Sequence, residues 1–471
     1  MNFTLFSFWG LLSAGILIIL LMRKVAGGRF TQRFDKLSLC LLNMTLLFSE
    51  SRLTLAIFAT VLVVTYLTLL WLRKVNVFGI WKHLLLGGVI FIQFLPLLYY
   101  KYGGFILADI LKMPEQAGFF KGILIPTGLS FYTFQMVSFV LDYAKDHTRF
   151  PAFLDYCNFA GFFPQIVAGP IERRDDLLPQ MERFAWNLSW VRLWQGLRWI
   201  VLGLFFKLSL AENIAAYSGW CYEPSDNAYL IWLGSALFGL RIYYDFAGYS
   251  LIAVGLGKML GIRLEINFWS PYTSVDIQTF WRRWHRTLSG WFRDYVYFPL
   301  GGGRTRFWML NILIVFVVSG IWHGAGFNFM LWGGAHGLLL ILHHVFKKTI
   351  SWLPKGVTWG LTMGLVILTW LFFYQTDWAV LTEKLTAIAT PGNYSVAHIR
   401  DAALSLKYPT LFGIMVWGGL GALQIGLEFM GLRKGDNPYQ LYRSFQVVAA
   451  MIVIIIFTAP VVQNAFIYFN F

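Results

Sequence analysis

Residues 281–323 read WRRWHRTLSGWFRDYVYFPLGGGRTRFWMLNILIVFVVSGIWH. The stretch joins an arginine- and tryptophan-rich segment, a glycine-rich loop and an apolar run that starts at Phe307. It contains His285 in the first segment and His323 at the end of the apolar run. Ionisable side chains are costly in membrane-embedded segments and commonly functional there, so the two histidines are the first candidates for chemistry.

The composition predicts a membrane protein. The chain has 471 residues, of which 58% are hydrophobic and 13% are charged. Many apolar runs approach the roughly 20 residues needed to cross a bilayer. We therefore expect an all-α polytopic membrane protein with a single integral membrane domain over residues 1–471. The formal charge of +15 fits basic loops beside anionic headgroups, so membrane lipids are the expected partner and nucleic acid is not.

Basic residues beside the apolar runs predict the orientation. Arg23 and Lys24 end the first run, and Lys and Arg are enriched in cytoplasmic loops, so the N-terminus is predicted to face outward. The connection over residues 376–408 is predicted to be external. The apolar runs cover residues 3–22, 37–48, 53–72, 84–100, 197–210, 229–240, 307–323, 357–373, 411–429 and 447–461. The cysteines, Cys40, Cys157 and Cys221, show no CxxC spacing and are predicted to be buried free thiols.

Two apolar segments are interrupted by proline and glycine. Residues 119–140 contain Pro126, Gly128 and several polar side chains, which fits either a kinked helix or a broken segment that lines a cavity. Residues 157–183 are apolar over too short a length to cross easily, which favours a re-entrant or interfacial segment. The mixed charges at 172–176 are predicted to form a solvated surface.

Two charges interrupt the apolar segment that follows residue 229. Arg241 and Asp245 are four residues apart, one helical turn. They form either an intrahelical ion pair or, in the case of Asp245, a polar group that faces an internal cavity.

The segment 281–295 reads as one amphipathic helix. At about 100° per residue its aromatic and leucine side chains fall on one side and its arginines on another, with His285 at the border. This pattern predicts an interfacial helix, and the arginines could alternatively hold a phosphate-bearing ligand. The apolar side contains Trp281, Trp284, Leu288, Trp291, Phe292 and Tyr295, and the arginine side contains Arg282, Arg286 and Arg293.

His323 is the stronger of the candidates for a general base. It lies between Trp322 and Gly324 in SGIWHGAG, and the small residues are expected to leave room for a ligand to reach the ring. Neutral imidazole can accept a proton near pH 7. His336 is expected to make a helix–helix hydrogen bond. The histidine spacing fits no metal motif, and the GGGRTR loop at 301–306 lacks the GK[ST] ending of a phosphate-binding loop.

Five stretches together resemble one family. Residues 95–345 are similar to membrane-bound O-acyltransferases, in particular to the bacterial alginate O-acetyltransferase branch and more distantly to the teichoic acid D-alanyl transferase. The stretches are IPTGLSFYTFQ, FPQIVAGPIERRDDLLPQ, YYDFAGYSLIAVGLGKMLGIRL, NFWSPYTSVDIQTFWRRWHRTLSGWFRDYVYFPLGG and SGIWHGAGFNFMLWGGAHG. The resemblance implies about 11 tilted transmembrane helices, with re-entrant and interfacial helices, in a ring around a central tunnel. It also implies that His323 is the active-site histidine and His285 a second signature position.

The resemblance also implies a reaction. Cytoplasmic acetyl-coenzyme A would supply an acetyl group to hydroxyls of an extracytoplasmic polysaccharide such as alginate, cellulose or peptidoglycan at a bacterial cytoplasmic membrane. The transfer would be direct or would pass through an exported accessory protein. No bound cofactor or metal is expected. The alternatives are D-alanyl transfer to teichoic acid, and a non-enzymatic transporter or scaffold of a polysaccharide secretion complex. Tyr374 stands where the family pattern implies an arginine. The expected donor-binding residues are Asp245, Trp281, Arg282, Arg286, Arg293 and Trp322.

Overall fold

The computed structural model describes residues 3–25, 31–75, 80–146, 150–167, 169–223, 226–435, 437–460 and 466. Within these residues the regular secondary structure is helical throughout, without a strand, which confirms the all-α prediction. The helices pack into two compact units.

The first unit takes in residues 1–200 and 250–265. Its longer helices up to residue 200 are α1 (Phe6–Val25), α2 (Gln32–Glu50), α3 (Arg52–Lys74), α4 (Ile80–Leu97), α5 (Leu129–Lys145), α6 (Phe153–Gly161), α7 (Arg174–Glu182) and the greater part of α8 (Trp190–Leu204). Pro96 lies inside α4, and a π-helical turn follows directly. This is where proline removes a backbone donor from the helical ladder.

The second unit takes in residues 201–249 and 266–471. Its helices are α9 (Glu212–Tyr222), most of α10 (Ala228–Met259), α11 (Ile277–Arg283), α12 (Arg286–Phe292), α13 (Trp308–His323), α14 (Phe327–Ile350), α15 (Lys355–Tyr374), α16 (Trp378–Ala389), α17 (Val396–Ser405), α18 (Tyr408–Gly435) and α19 (Phe445–Thr458). Side-chain caps fix several starts, as where Asp276 accepts from the Thr279 amide at α11.

Seven helices in the described part of the chain are long and apolar enough to cross a membrane, which confirms a polytopic membrane protein. The seven are Phe6–Val25, Arg52–Lys74, Ile80–Ile110, Trp190–Tyr222, Phe327–Ile350, Lys355–Tyr374 and Tyr408–Gly435. Two shorter apolar helices, Trp308–His323 and Phe445–Thr458, add to them. The expected ring and tunnel remain expectations of the resemblance.

The segment 119–140 is broken rather than kinked. Gly128 has a φ of 76°, and α5 starts at the next residue. A Cβ at Gly128 would lie 2.4 Å from the carbonyl oxygen of Ile166, so this close approach requires glycine. The side chains of Tyr132, Gln135 and Gln165 line a cavity of about 10 Å³, enough for one water molecule.

The prediction that residues 172–176 form a solvated surface is wrong for two of the five. Glu172 and Arg174 are each only 2% exposed. A hydrogen bond compensates each burial: the Glu265 amide donates to Glu172 over 2.7 Å, and Arg174 donates to the Asp146 carbonyl over 3.1 Å.

Candidate active site

A tight helical hairpin positions His323. Helices α13 and α14 run antiparallel, with the rings of Trp308 and His344 in contact (4.6 Å between centroids) at the end of the hairpin away from His323. Near its tip the backbones approach so closely that a Cβ on Gly320 would lie 2.1 Å from the Phe329 carbonyl oxygen. A Cβ on Gly333 would lie 2.2 Å from that of Phe316. Small residues permit such close packing in membrane helices.

His323 is the last residue of α13 and is 1% exposed. Its ring lies 4.9 Å from that of Trp322, 5.0 Å from Trp332 and 5.6 Å from Phe373. The expectation that the surrounding small residues leave room for a ligand is wrong at Gly324. The Phe329 ring fills that space, since a Cβ there would lie 2.1 Å from it. The histidine is therefore held in an aromatic shell.

His285 lies in a break between α11 and α12. The prediction of one continuous helix over 281–295 is wrong, because two backbone hydrogen bonds tie residues on either side of the break to a neighbouring segment. Trp269 donates to the Arg283 carbonyl over 2.9 Å, and Arg286 donates to that of Asn267 over 2.8 Å. His285 itself adopts a φ of 40°, a backbone conformation that residues other than glycine seldom take.

Burial determines the protonation state of His285. The side chain is 1% exposed, and its ring contacts Phe246 at 4.7 Å and Phe268 at 6.1 Å. Loss of solvation lowers the pKa of His285 to about 3. The ring is therefore neutral at physiological pH and acts through one N–H donor and one acceptor nitrogen.

Trp322 connects the two histidines. Its ring lies 4.9 Å from His323 and 6.1 Å from His285, and its side chain is buried. The structure thus brings together two histidines that lie at distant positions of the segment 281–323. Trp322 is one of the six expected donor-binding residues, and its ring contacts both histidines.

Trp281 belongs to an adjoining aromatic group around His336. The Trp281 ring lies 5.0 Å from His336, and Trp332 packs against both His336 (4.8 Å) and His323. Thr369 donates to the Val366 carbonyl, so its oxygen accepts from Nε2 of His336 over 2.9 Å. The helix–helix hydrogen bond expected of His336 is present, between α14 and α15.

The three arginines of the predicted stripe are exposed. Arg282, Arg286 and Arg293 are each exposed, whereas the aromatic side is buried except for the half-buried Tyr295. Arg286 also lies 5.5 Å from the Trp269 ring, and Arg293 pairs with Asp294 over 2.9 Å. The break at His285 places these arginines on different helices, and all three remain accessible to an anionic ligand.

Asp245 belongs to a buried charge cluster that was not predicted from the sequence. Lys207, in a π-helical turn between α8 and α9, lies 2.7 Å from Asp245 and 2.6 Å from Glu212. All three side chains are at most 4% exposed. An isolated lysine in the apolar run FFKLSLAEN was the available signal, since buried charges need partners.

The fold and the site define a class: a helical membrane protein with a pair of buried histidines. Residues 37–381 match the sequence model of the MBOAT, membrane-bound O-acyltransferase family. The chain belongs to the membrane-bound O-acyltransferase family.

Curated relatives fall within the same family. A peptidoglycan O-acetyltransferase of Helicobacter pylori is 31% identical over 65% of this chain and 64% of its own length. A probable alginate O-acetylase of Pseudomonas aeruginosa is 31% identical over 76% of the chain and 68% of its own. A teichoic acid D-alanyltransferase of Bacillus subtilis is 28% identical over 62% of the chain and 80% of its own. The chain spans about two thirds of the length of the two acetyl-transferring relatives.

Proposed function

We propose that this protein transfers an acetyl group from cytoplasmic acetyl-coenzyme A to hydroxyl groups of a polysaccharide outside a bacterial cytoplasmic membrane. The observation that carries the proposal is the pair of buried histidines, His323 and His285, in contact with one tryptophan. Family membership and the two acetyl-transferring relatives support the reaction class.

The proposed reaction is a transesterification at His323. The acceptor oxygen attacks the thioester carbonyl, His323 accepts the hydroxyl proton, and a new C–O bond replaces the C–S bond. The proton then passes from His323 to the departing sulfur, which leaves as the free thiol. Positioned general bases typically contribute about 10²–10⁴-fold to rate.

His285 stabilises the charge that develops on the carbonyl oxygen. Because its ring is neutral, it does so by donating one hydrogen bond and not as a cation. Its fixed backbone conformation between two helices holds the ring in one orientation. Trp322 excludes water between the two imidazoles, which strengthens such a hydrogen bond.

The exposed arginines bind the donor. Arg282, Arg286 and Arg293 can each offer a planar pair of N–H donors to the phosphates of coenzyme A. Asp245 contributes through its ion pair with Lys207, which stabilises the packing of the segments that carry the two residues, and its expected contact with the donor stays a prediction. An exported protein that accepts the acetyl group is a further part of the proposal, taken from the family resemblance.

Thioester hydrolysis by the purified protein tests the reaction. We expect the wild type to cleave acetyl-coenzyme A. The hydrolysis rate should fall by about 10²–10⁴-fold in His323→Gln and by about 10²–10³-fold in His285→Gln. The exposed His83→Gln serves as the matched control and should retain full activity. If His323→Gln is present in the membrane at normal abundance and cleaves the thioester at the wild-type rate, the result would contradict the proposed role of His323 and favour a transporter or scaffold.

A second donor separates the two acyl groups. The same assay with a D-alanyl thioester should give little turnover, and a preference for D-alanine would instead favour D-alanyl transfer, the activity for which the Bacillus subtilis relative is named.

A further inference from the structure

A polar groove in the second unit lies apart from the two histidines. It has a volume of about 600 Å³, within the ~300–1,000 Å³ typical of small-ligand clefts. Helices α16 and α17 and the start of α10 line it. Most of its lining residues follow residue 381, where the family match ends. The greater part of the groove therefore lies outside the residues that match the family model.

The groove wall is rich in hydrogen-bond acceptors. Thr382, Thr386 and Thr390 each donate their hydroxyl proton to the carbonyl four residues earlier, so their oxygens face a ligand as acceptors. The carboxylates of Glu383 and Asp401 add further acceptors. A ligand that fits this wall must bring many donors.

The charge of the groove restricts the chemical class of ligand that it can bind. Among the described residues, its lining contains the carboxylates of Asp226, Glu383 and Asp401 and the imidazole of His398, and no lysine or arginine. The neighbouring Lys384 donates to the carbonyl of Tyr222 and also interacts with the carboxylates of Glu383 and Asp226, so three carboxylates face one ammonium group and the groove keeps an excess of negative charge. A polymer that carries carboxylates or phosphates is repelled here, whereas sugar hydroxyls donate to the carboxylates without repulsion.

The rim carries an aromatic face of the kind that stacks on sugar rings. Tyr394, next to the lining residue Asn393, is 40% exposed. The Tyr229 hydroxyl donates to its carbonyl and the Trp232 indole donates to its hydroxyl, so the ring is held in place. Rigid aromatic rings offer apolar contact area at low entropic cost.

A chain of contacts leads from the groove to His323. Lys384 of α16 donates to the Tyr222 carbonyl, and the Tyr222 ring stacks on Tyr374 at 4.2 Å. Tyr374 follows Phe373, whose ring lies 5.6 Å from His323. Tyr374 is the residue that stands where the family pattern implies an arginine, so an aromatic stack replaces a charge on this side of the site.

We propose that the groove binds a segment of an uncharged polysaccharide, the acceptor of the acyl group. The inference rests on the proposed function and deepens it by naming the acceptor class. It distinguishes this protein from relatives named for alginate or teichoic acid, which are anionic polymers.

Direct binding to the purified full-length protein tests the groove. By calorimetry, cellohexaose should bind wild type at least tenfold more tightly than hexamannuronate. The double variant Thr382→Val/Thr386→Val should weaken cellohexaose binding at least tenfold. Thr45→Val is the matched control, because Thr45 is exposed and also donates to the carbonyl four residues earlier.

A second pair of variants tests the charge. Glu383→Gln/Asp401→Asn should improve hexamannuronate binding several-fold, whereas Glu115→Gln, an exposed carboxylate outside the groove, should not. Equal binding of both oligosaccharides by wild type, or unchanged binding in the threonine double variant, would overturn the proposal. So would binding of a lysine-rich peptide in place of cellohexaose, which would indicate a basic protein partner.

Thioester hydrolysis separates this proposal from the proposed function. The groove variants should hydrolyse acetyl-coenzyme A at the wild-type rate. If hydrolysis depends on His323 but sugar binding does not depend on the groove residues, only the groove proposal is overturned. If sugar binding depends on the groove residues but no acyl transfer occurs, the binding site stands and the proposed enzymatic function is overturned.

Discussion

Burial determines the protonation state of two single residues, His285 and Glu172. His285 loses its charge inside an aromatic shell, and Glu172 does so beside a backbone amide. Burial raises the pKa of Glu172 to about 8, while the hydrogen bond from the Glu265 amide opposes this effect. Glu172 therefore carries a proton at neutral pH, and the side chain resembles a glutamine.

Glu172→Gln should remove a pH dependence of stability. The folded pKa lies above the unfolded one, so the wild type loses about 1.4 kcal/mol per pH unit as pH rises from about 4.5 to 8. The variant keeps the acceptor oxygen and cannot ionise. Its melting temperature in detergent should equal that of wild type near pH 5 and exceed it at pH 8. Parallel curves for the two proteins would contradict the raised pKa; Glu115→Gln is the control.

Lys207 stabilises two buried carboxylates, so its loss should be costly. Lys207→Met leaves Glu212 and Asp245 without this cation, and breaking a buried ion pair on one side costs about 3–5 kcal/mol. Asp245→Asn retains the 2.6 Å contact between Lys207 and Glu212 and should cost clearly less. Thermal unfolding in detergent measures both, and an equal loss in the two variants would argue against a shared cluster.

At the scale of elements, the α13–α14 hairpin determines where His323 lies. The hairpin depends on the absence of side chains at Gly320 and Gly333, where the backbones meet. Gly334, on the neighbouring face of α14, has only a distant contact, 3.8 Å from a Val317 methyl group. Gly334 therefore serves as a control position for substitutions at Gly320 and Gly333.

Gly320→Ala should push the two helices apart. The added methyl group would overlap the Phe329 carbonyl, and overpacking of this kind costs about 1–3 kcal/mol. Because His323 is three residues further on, thioester hydrolysis should fall at least tenfold. Gly334→Ala should change neither hydrolysis nor melting temperature. A fully active Gly320→Ala would show that the hairpin does not position the histidine.

Local patterns predict some of these elements and not others. The helices at Lys355–Tyr374 and Tyr408–Gly435 follow from uninterrupted apolar runs, and His323 stood out because its run contains no other ionisable group. The break at His285 did not follow, because a helical wheel assumes a continuous helix. At that break Trp269 donates to the Arg283 carbonyl and Arg286 donates to the Asn267 carbonyl, and no local pattern reveals these hydrogen bonds. The Lys207–Asp245 pair likewise joins different helices.

At the scale of the whole molecule, the proposed reaction needs opposite faces for donor and acceptor. Lys347 and Lys348 end α14, and Arg433 and Lys434 end α18. If both basic ends face the cytoplasm, α15 crosses outward and α18 crosses back. The connection 376–408, which contributes most of the groove, then lies outside, where a polysaccharide acceptor would be.

Two glycines on this path allow a matched labelling experiment. Gly356, at the start of α15, and Gly392, in the connection, are both exposed, and a Cβ added at either meets no atom within 4 Å. We expect a membrane-impermeant maleimide to label Gly392→Cys in right-side-out vesicles, in a variant whose native cysteines are replaced. Gly356→Cys should react only after the membrane is permeabilised. The reverse pattern would place the groove in the cytoplasm, where it could not receive an exported polymer, and would remove the acceptor assignment while leaving the histidine chemistry intact.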